Sequence, residues 1–311
     1  MKYFFLNNKP AIYANLSIVI RLFAGPLTLL MLSLKISEYE QGIFFSFLSI
    51  AAFQIVFEIG ITTVLVQFIS AENNKKSLLY YSCLKMAFYW CLCAGLLFSV
   101  CSFLLSLFVF SDVELVGLRY QSAVYIFFIG INICLNCIYI IHEGNLDVLF
   151  VYKTRLQCSL VSTLFLWAGL WFDFGLWALA FMQVGLFLPL ILKRKTAETF
   201  YLLFSIKKYS LKYALSKTWG FQSKIAMVWI SGYLYWNSPV IILFKYVDPV
   251  YAGKFGLAFS LLNAINQAGQ AWVTTKRARI GSLISMGEYK AARRIFDKSS
   301  LVSLVVVATG V

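Results

Sequence analysis

Apolar runs of about 20 residues, each long enough to cross a bilayer core of about 30 Å as a helix, recur along nearly the whole sequence. They are continuous rather than alternating, so they favour helices over the strands of a barrel. With 61% hydrophobic residues, the chain lies well above the roughly 45–50% of a soluble domain. We therefore predict an all-α polytopic membrane protein. The predicted spans are 16–34, 42–70, 86–110, 120–141, 156–172, 174–192, 219–246 and 251–273, and a ninth begins near residue 299.

The distribution of lysine and arginine predicts a cytoplasmic N-terminus. With that orientation the inner segments hold 21 of the 27 basic residues, as the positive-inside rule requires. The net charge of +14 then reflects topology and contact with anionic phospholipids rather than nucleic-acid binding. The inner segments are 1–15, 71–85, 142–155, 193–217 and 276–298.

A weak internal repeat suggests that the spans are organised in two lobes. SEYEQGIFFSFLSI at 37–50 resembles DPVYAGKFGLAFSL at 248–261, and Gly42 and Gly253 are 211 residues apart. Six predicted spans separate the copies, so both copies run in the same direction, as in transporters built from parallel repeats. We predict a first six-helix lobe over 1–192, a basic linker over 193–218 and an incomplete second lobe over 219–311. Doubling the first lobe requires roughly 420 residues, so we expect the sequence to be truncated.

Polar side chains within the spans are the candidate site. Gln54 and Glu58 share one helical face, and four amides form a similar stripe in the eighth span. Such groups are costly in hydrocarbon, so we expect them to line a wet cavity, with interhelical hydrogen bonding as the alternative. Arg21 could bind phosphate oxygens with its planar fork, whereas Lys224 could also extend to the interface. The candidate substrate-binding residues are Arg21, Gln54, Glu58, Lys224, Asn263, Asn266, Gln267 and Gln270.

No constellation for catalysis is visible, so we predict that the chain is not an enzyme. The single histidine, His142, has no partner pattern, and the sequence lacks a GxxxxGK[ST] loop for ATP. The seven cysteines, including the Cys134 and Cys137 pair, lie within or at the ends of apolar segments and are interpreted as helix residues. We expect no metal and no cofactor beyond a coupling Na⁺ or H⁺.

Three segments resemble a known family. EQGIFFSFLSI with FEIGITTVLVQFISAE at 57–72 resembles the first helical pair of Wzx-type O-antigen flippases and related polysaccharide exporters of the MOP superfamily. The tail AWVTTKRARIGSLISMGEYKAARRIF is similar to their loop after the eighth helix. HEGNLDVLFVYKTRLQ at 142–157 is similar to a short pattern after their fourth helix, matched by Glu143, Gly144, Val148, Tyr152, Arg155 and Gln157.

The resemblance implies two six-helix lobes around a cavity lined by helices one, two, seven and eight. It implies that an oligosaccharide repeat unit of O-antigen or capsule, linked to undecaprenyl pyrophosphate, crosses the bacterial plasma membrane by alternating access. A polysaccharide polymerase and glycosyltransferases would be partners, and Glu143 and Arg155 would be structural residues at the inner face. Family members have about twelve spans, and the second lobe here is shorter.

Other functions stay open. A cation-coupled multidrug exporter of the same superfamily would bind Na⁺ or H⁺ at Glu58, and basic residues in its cavity would be a handicap. A further alternative is a truncated fragment with no function of its own. A membrane enzyme such as a polysaccharide polymerase ranks last, because the predicted outer loops are short.

Overall fold

The computed structural model describes residues 9–72, 77–111, 113, 117–205, 210–274 and 288–310. These ranges are almost entirely helical and contain no strand, so the all-α prediction is confirmed for them. The helices up to residue 144 are α1 (Lys9–Lys35), α2 (Glu38–Ala52), α3 (Gln54–Glu58), α4 (Ile61–Ala71), α5 (Leu78–Val109) and α6 (Leu118–Gly144). They are followed by α7 (Val148–Trp171), α8 (Trp177–Ile191), α9 (Arg194–Ser205), α10 (Leu211–Trp236), α11 (Ser238–Tyr246), α12 (Pro249–Thr274) and α13 (Tyr289–Gly310).

Several of these helices are long and apolar enough to cross a membrane. Within the described ranges four stretches qualify, and the pair α8 and α9, bent by 78°, would make a fifth if it forms one span. The chain is therefore a helical membrane protein. Helices cover each of the eight predicted spans, but fewer meet the combined requirement of length, hydropathy and low charge. The four are Glu38–Glu58, Leu78–Val109, Leu118–Gly144 and Leu211–Tyr246.

The first part of the chain forms one packed bundle. Helix α7 packs against α8 and α1, and α6 packs against α5 and α8. A core on one side includes Phe47, whose ring stacks on Tyr125 at 5.4 Å between centroids. A second core surrounds Ile61, Leu84 and Ile138, all fully buried. Exposed leucines on α5 face away from the bundle, as expected for a lipid-facing surface.

The second predicted span, 42–70, is broken in its middle. Ile59 and Gly60 have positive φ angles of 40° and 71°, which end α3 and start α4. The amide of Gln222 on α10 donates a hydrogen bond to the Ile59 carbonyl, which the break would otherwise leave unpaired. A Cβ atom at Gly60 would lie 2.3 Å from a methyl carbon of Ile225. Glycine is therefore needed for both backbone conformation and close packing.

The two copies of the sequence repeat contact each other directly, because α2 packs against α12. A Cβ atom at Gly42 would lie 2.0 Å from the carbonyl oxygen of Pro249, and one at Gly253 would lie 2.9 Å from the Gly42 nitrogen. Small residues allow such close helix approach in membranes. An ion pair of 3.2 Å between Lys254 and Glu38 lies at the same contact.

Candidate functional site

A polar cavity of about 550 Å³ lies inside the first bundle, between the α2–α3 segment and helices α6, α7 and α8. Its walls combine carboxylate, guanidinium, amide, phenol and hydroxyl groups with a smaller number of apolar side chains. Cavities of this size are typical of small-molecule sites. The polar residues that line it are Gln54, Glu58, Asn132, Asn136, Tyr139, Arg155, Ser159 and Gln183.

Glu58 enters the cavity from the last position of α3, immediately before the break in the second span. Its Oε1 atom accepts a hydrogen bond of 3.4 Å from the Nδ2 atom of Asn136. The same nitrogen lies 3.3 Å from the hydroxyl of Thr62, in the first turn of α4. Asn136 therefore bridges the two sides of the break and holds the carboxylate toward α6.

A second amide group lies one helical turn away on α6. Asn132 precedes Asn136 by four residues, so both side chains project from one face. The Nδ2 atom of Asn132 donates to Gln183 on α8, at 3.1 Å to Oε1 and 3.2 Å to the backbone carbonyl. Gln183 is buried. These contacts fix the positions of two amides that line the cavity.

Arg155 occupies the end of the cavity nearest the α6–α7 turn. Its Nη2 atom is 3.1 Å from the carboxylate of Glu143. Its guanidinium carbon lies 5.1 Å from the centroid of the Tyr139 ring, a cation–π distance. The Tyr139 hydroxyl is 3.5 Å from the sulfur of Cys158. Three neighbours therefore order this end of the cavity, and the charge of Arg155 is already paired.

The α6–α7 turn is tied to helix α9 by a cluster outside the cavity. The carboxylate of Asp147 is 2.5 Å from the Nζ atom of Lys195 and 3.2 Å from the Nδ1 atom of His142. His142 also contacts the hydroxyl of Thr199 at 3.0 Å through Nε2. Partial burial raises the pKa of Asp147, but the hydrogen bond and charge of Lys195 outweigh it and hold that pKa below its usual range.

The structure places the predicted site residues in different regions. Gln54 and Glu58 line the cavity, whereas Lys224 is exposed on α10 and is not among the lining residues. Asn263 and Asn266 are half-buried on α12, and neither is among those lining residues. The side chains of Arg21, Gln267 and Gln270 lie outside the described part of the structure.

A smaller cavity of about 280 Å³ lies at the junction between the first bundle and α12. It is formed by α1, α2, α7, α8 and α12, and its walls are mostly apolar, with Thr28, Thr163 and Ser260 as hydroxyl contributors. The indole nitrogen of Trp167 donates to the Thr28 hydroxyl at 2.9 Å. Among the described residues, the charged cavity wall therefore belongs to the first bundle and not to this junction.

Sequence reasoning missed the amides that complete the cavity. Asn132 and Asn136 are spaced i, i+4 within an otherwise apolar span, and Gln183 lies in the middle of another. That spacing is the same signal that identified Gln54 and Glu58. Arg155 was noted only through the family resemblance, as a structural residue.

The cavity offers many hydrogen-bond donors and acceptors together with one carboxylate. No family model matches this chain, and no curated protein and no solved structure matches it either. Its chemistry is therefore the guide to function. Amides, a carboxylate and a paired guanidinium suit a polar, many-hydroxyl ligand, and carboxylate and amide oxygens also suit a hard cation.

Proposed function

We propose that the chain is a membrane transporter of the flippase type that carries an oligosaccharide linked to undecaprenyl pyrophosphate. The observation that carries the proposal is the cavity containing Glu58, Asn136 and Arg155 among helices of membrane-spanning length. Insertion scales put the cost of a charged group at the middle of a membrane helix at about 2.5–3.5 kcal/mol, and such groups mark substrate or ion pathways.

The charge balance of the cavity favours the sugar over the diphosphate as its occupant. Glu58 would repel phosphate oxygens, and Arg155 is already paired with Glu143. Sugar hydroxyls both donate and accept, so they match the amides of Asn132 and Asn136. The diphosphate would then bind elsewhere, and Arg21 remains the predicted residue for it.

The second candidate is a cation-coupled multidrug exporter. The observation that favours it is the Glu58 carboxylate held by Asn136 at 3.4 Å. Na⁺ prefers oxygen ligands of this kind, and a carboxylate half-buried among helices is also a site for a transported proton.

Reconstituted vesicles distinguish these functions. The chain is inserted into liposomes with a fluorescent oligosaccharide on undecaprenyl pyrophosphate, and an impermeant quencher reports its movement between leaflets. Asn136→Leu is expected to reduce the rate of movement between leaflets about tenfold or more. The variant removes the amide that bonds Glu58, and an unpaired buried polar group costs about 1–3 kcal/mol. Glu198→Gln is the control, since that carboxylate is exposed and forms an ion pair of 3.0 Å with Arg194 on the same helix.

Two results would change the assignment. Equal rates for Asn136→Leu and Glu198→Gln would remove the cavity from the flippase mechanism. Efflux of an amphipathic cation that requires a Na⁺ or pH gradient and is lost in Glu58→Gln, without movement of the lipid-linked sugar, would identify the exporter instead.

A further inference from the structure

A third cavity lies on the lipid-facing side between α5 and α10, on different lining residues from the polar one. It measures about 500 Å³, and we define it as the α5–α10 groove. Its residues are Met86, Tyr89, Trp90, Cys93, Leu211, Lys212 and Leu215.

We propose that the α5–α10 groove binds one acyl chain of an anionic phospholipid, with the lipid phosphate at Lys212. This site is independent of the transport function proposed above. It turns the general expectation of anionic-lipid contact into a located site with named walls.

The walls of the groove fit a hydrocarbon chain. Apart from Lys212, the lining groups are aliphatic, aromatic or sulfur-containing, and the polar atom of Trp90 is already used. Its indole nitrogen donates to the Phe57 carbonyl at 3.3 Å, which leaves the ring faces for apolar contact. From Met86 to Cys93 the groove follows about 10 Å of α5, from the helical rise of about 1.5 Å per residue. A water-soluble polar ligand would find few partners here.

The charge at one end of the groove fits a phosphate. Lys212 is exposed in the first turn of α10 and lines the groove. Lys85 lies close by, because its Nζ atom is 5.8 Å from the ring centroid of Tyr89, another lining residue. Both lysines belong to segments predicted to face the cytoplasm. Juxtamembrane lysines there attract the anionic lipids of that leaflet.

The position of the groove also favours a lipid from the surrounding bilayer. Tyr89 is 42% exposed, and Cys93 is exposed one turn further along α5. The neighbouring exposed residues Leu96 and Leu97 continue this apolar surface. The groove therefore opens toward the region that lipid chains occupy. Because α5 and α10 form opposite walls, a bound chain would contact both helices at once.

The test uses the full chain in nanodiscs of phosphatidylcholine, titrated with phosphatidylglycerol that carries brominated acyl chains. Bromine quenches tryptophan at short range, so the part of the quenching that Trp90→Phe removes reports occupancy of the groove. Lys212→Gln is expected to weaken apparent binding about fivefold. Lys217→Gln, an exposed lysine on the same helix that does not line the groove, is expected to leave it unchanged.

A second variant leaves both the Trp90 reporter and the charge of Lys212 unchanged. Cys93→Phe narrows the groove from its lipid-exposed side and is expected to weaken binding while Lys212 remains in place.

Three results would overturn the proposal. Equal weakening by Lys212→Gln and Lys217→Gln would show diffuse attraction to the membrane surface only. Equal quenching by brominated phosphatidylcholine would show that the phosphate charge is not recognised. Displacement of phosphatidylglycerol by a polyprenyl monophosphate at much lower concentration would identify a different occupant.

Discussion

The contact between α2 and α12 makes the effect of a single methyl group predictable. In Gly42→Ala the new Cβ atom would lie 2.0 Å from the carbonyl oxygen and 2.7 Å from the carbonyl carbon of Pro249. Both are backbone atoms, so no side-chain rotation relieves the overlap and the helices must separate. Overpacking of this kind costs about 1–3 kcal/mol. Alanine also favours a helix over glycine by about 1 kcal/mol, so the net loss of stability is about 0–2 kcal/mol.

Gly220→Ala is the matched control, because Gly220 also lies within a helix and a Cβ atom there would have no neighbour within 4 Å. The helix-propensity gain is common to both variants, so their difference isolates the contact at about 1–3 kcal/mol. Thermal unfolding of the full chain in one detergent measures it, since about 1 kcal/mol shifts Tm by about 2–4 °C in chains of 150–250 residues. Equal Tm values for the two variants would refute the reasoning.

Three further outcomes are expected. Gly60→Ala should lower the Tm of the chain more than Gly117→Ala in the same assay, because both residues have positive φ but only Gly60 is crowded. Backbone strain alone costs about 1–2 kcal/mol in either variant. Equal losses of Tm would contradict the effect of crowding. The native chain should have a higher Tm than Asp147→Asn, and this difference should be constant above about pH 5. It should shrink as the pH falls through the lowered pKa of Asp147, because the folded state stabilises the ionised carboxylate. A difference that grows at low pH would contradict the ion pair. A membrane-permeant maleimide should label exposed Cys93 faster than buried Cys137, as mass spectrometry of labelled peptides would show; the reverse order would contradict the packing of α5 and α6.

The helical fold class could be predicted from the sequence, because each apolar run of membrane-spanning length indicates a helix without information from any other segment. The break at Ile59 and Gly60 was not. A single glycine in an apolar run is compatible with a continuous helix, and this break also needs Gln222, 162 residues beyond Gly60, to bond the Ile59 carbonyl. Local pattern does not contain that partner.

The candidate site shows the same division. The spacing of Gln54 and Glu58 indicated a shared polar face, but helical spacing does not state which neighbour that face meets. Asn136 determines the neighbour here, because its amide reaches Glu58 and Thr62 from α6. The sequence of one span shows that two asparagines share a helical face, but it does not show which other helix that face contacts. Whether the polar cavity lies in the first bundle or at the junction with α12 therefore depends on tertiary packing, which the sequence pattern does not show.

The break also gives Glu58 a connection that an unbroken helix would lack. The side chain of Glu58 accepts from Asn136 within the first bundle, whereas the carbonyl of the next residue, Ile59, accepts from Gln222 on α10. Two adjacent residues therefore bond to opposite sides of the same segment. A ligand that competes for the Asn136 amide acts directly beside the contact that holds α10. Because a regular helix would have used the Ile59 carbonyl internally, only the broken form links the polar cavity to the second part of the chain in this way.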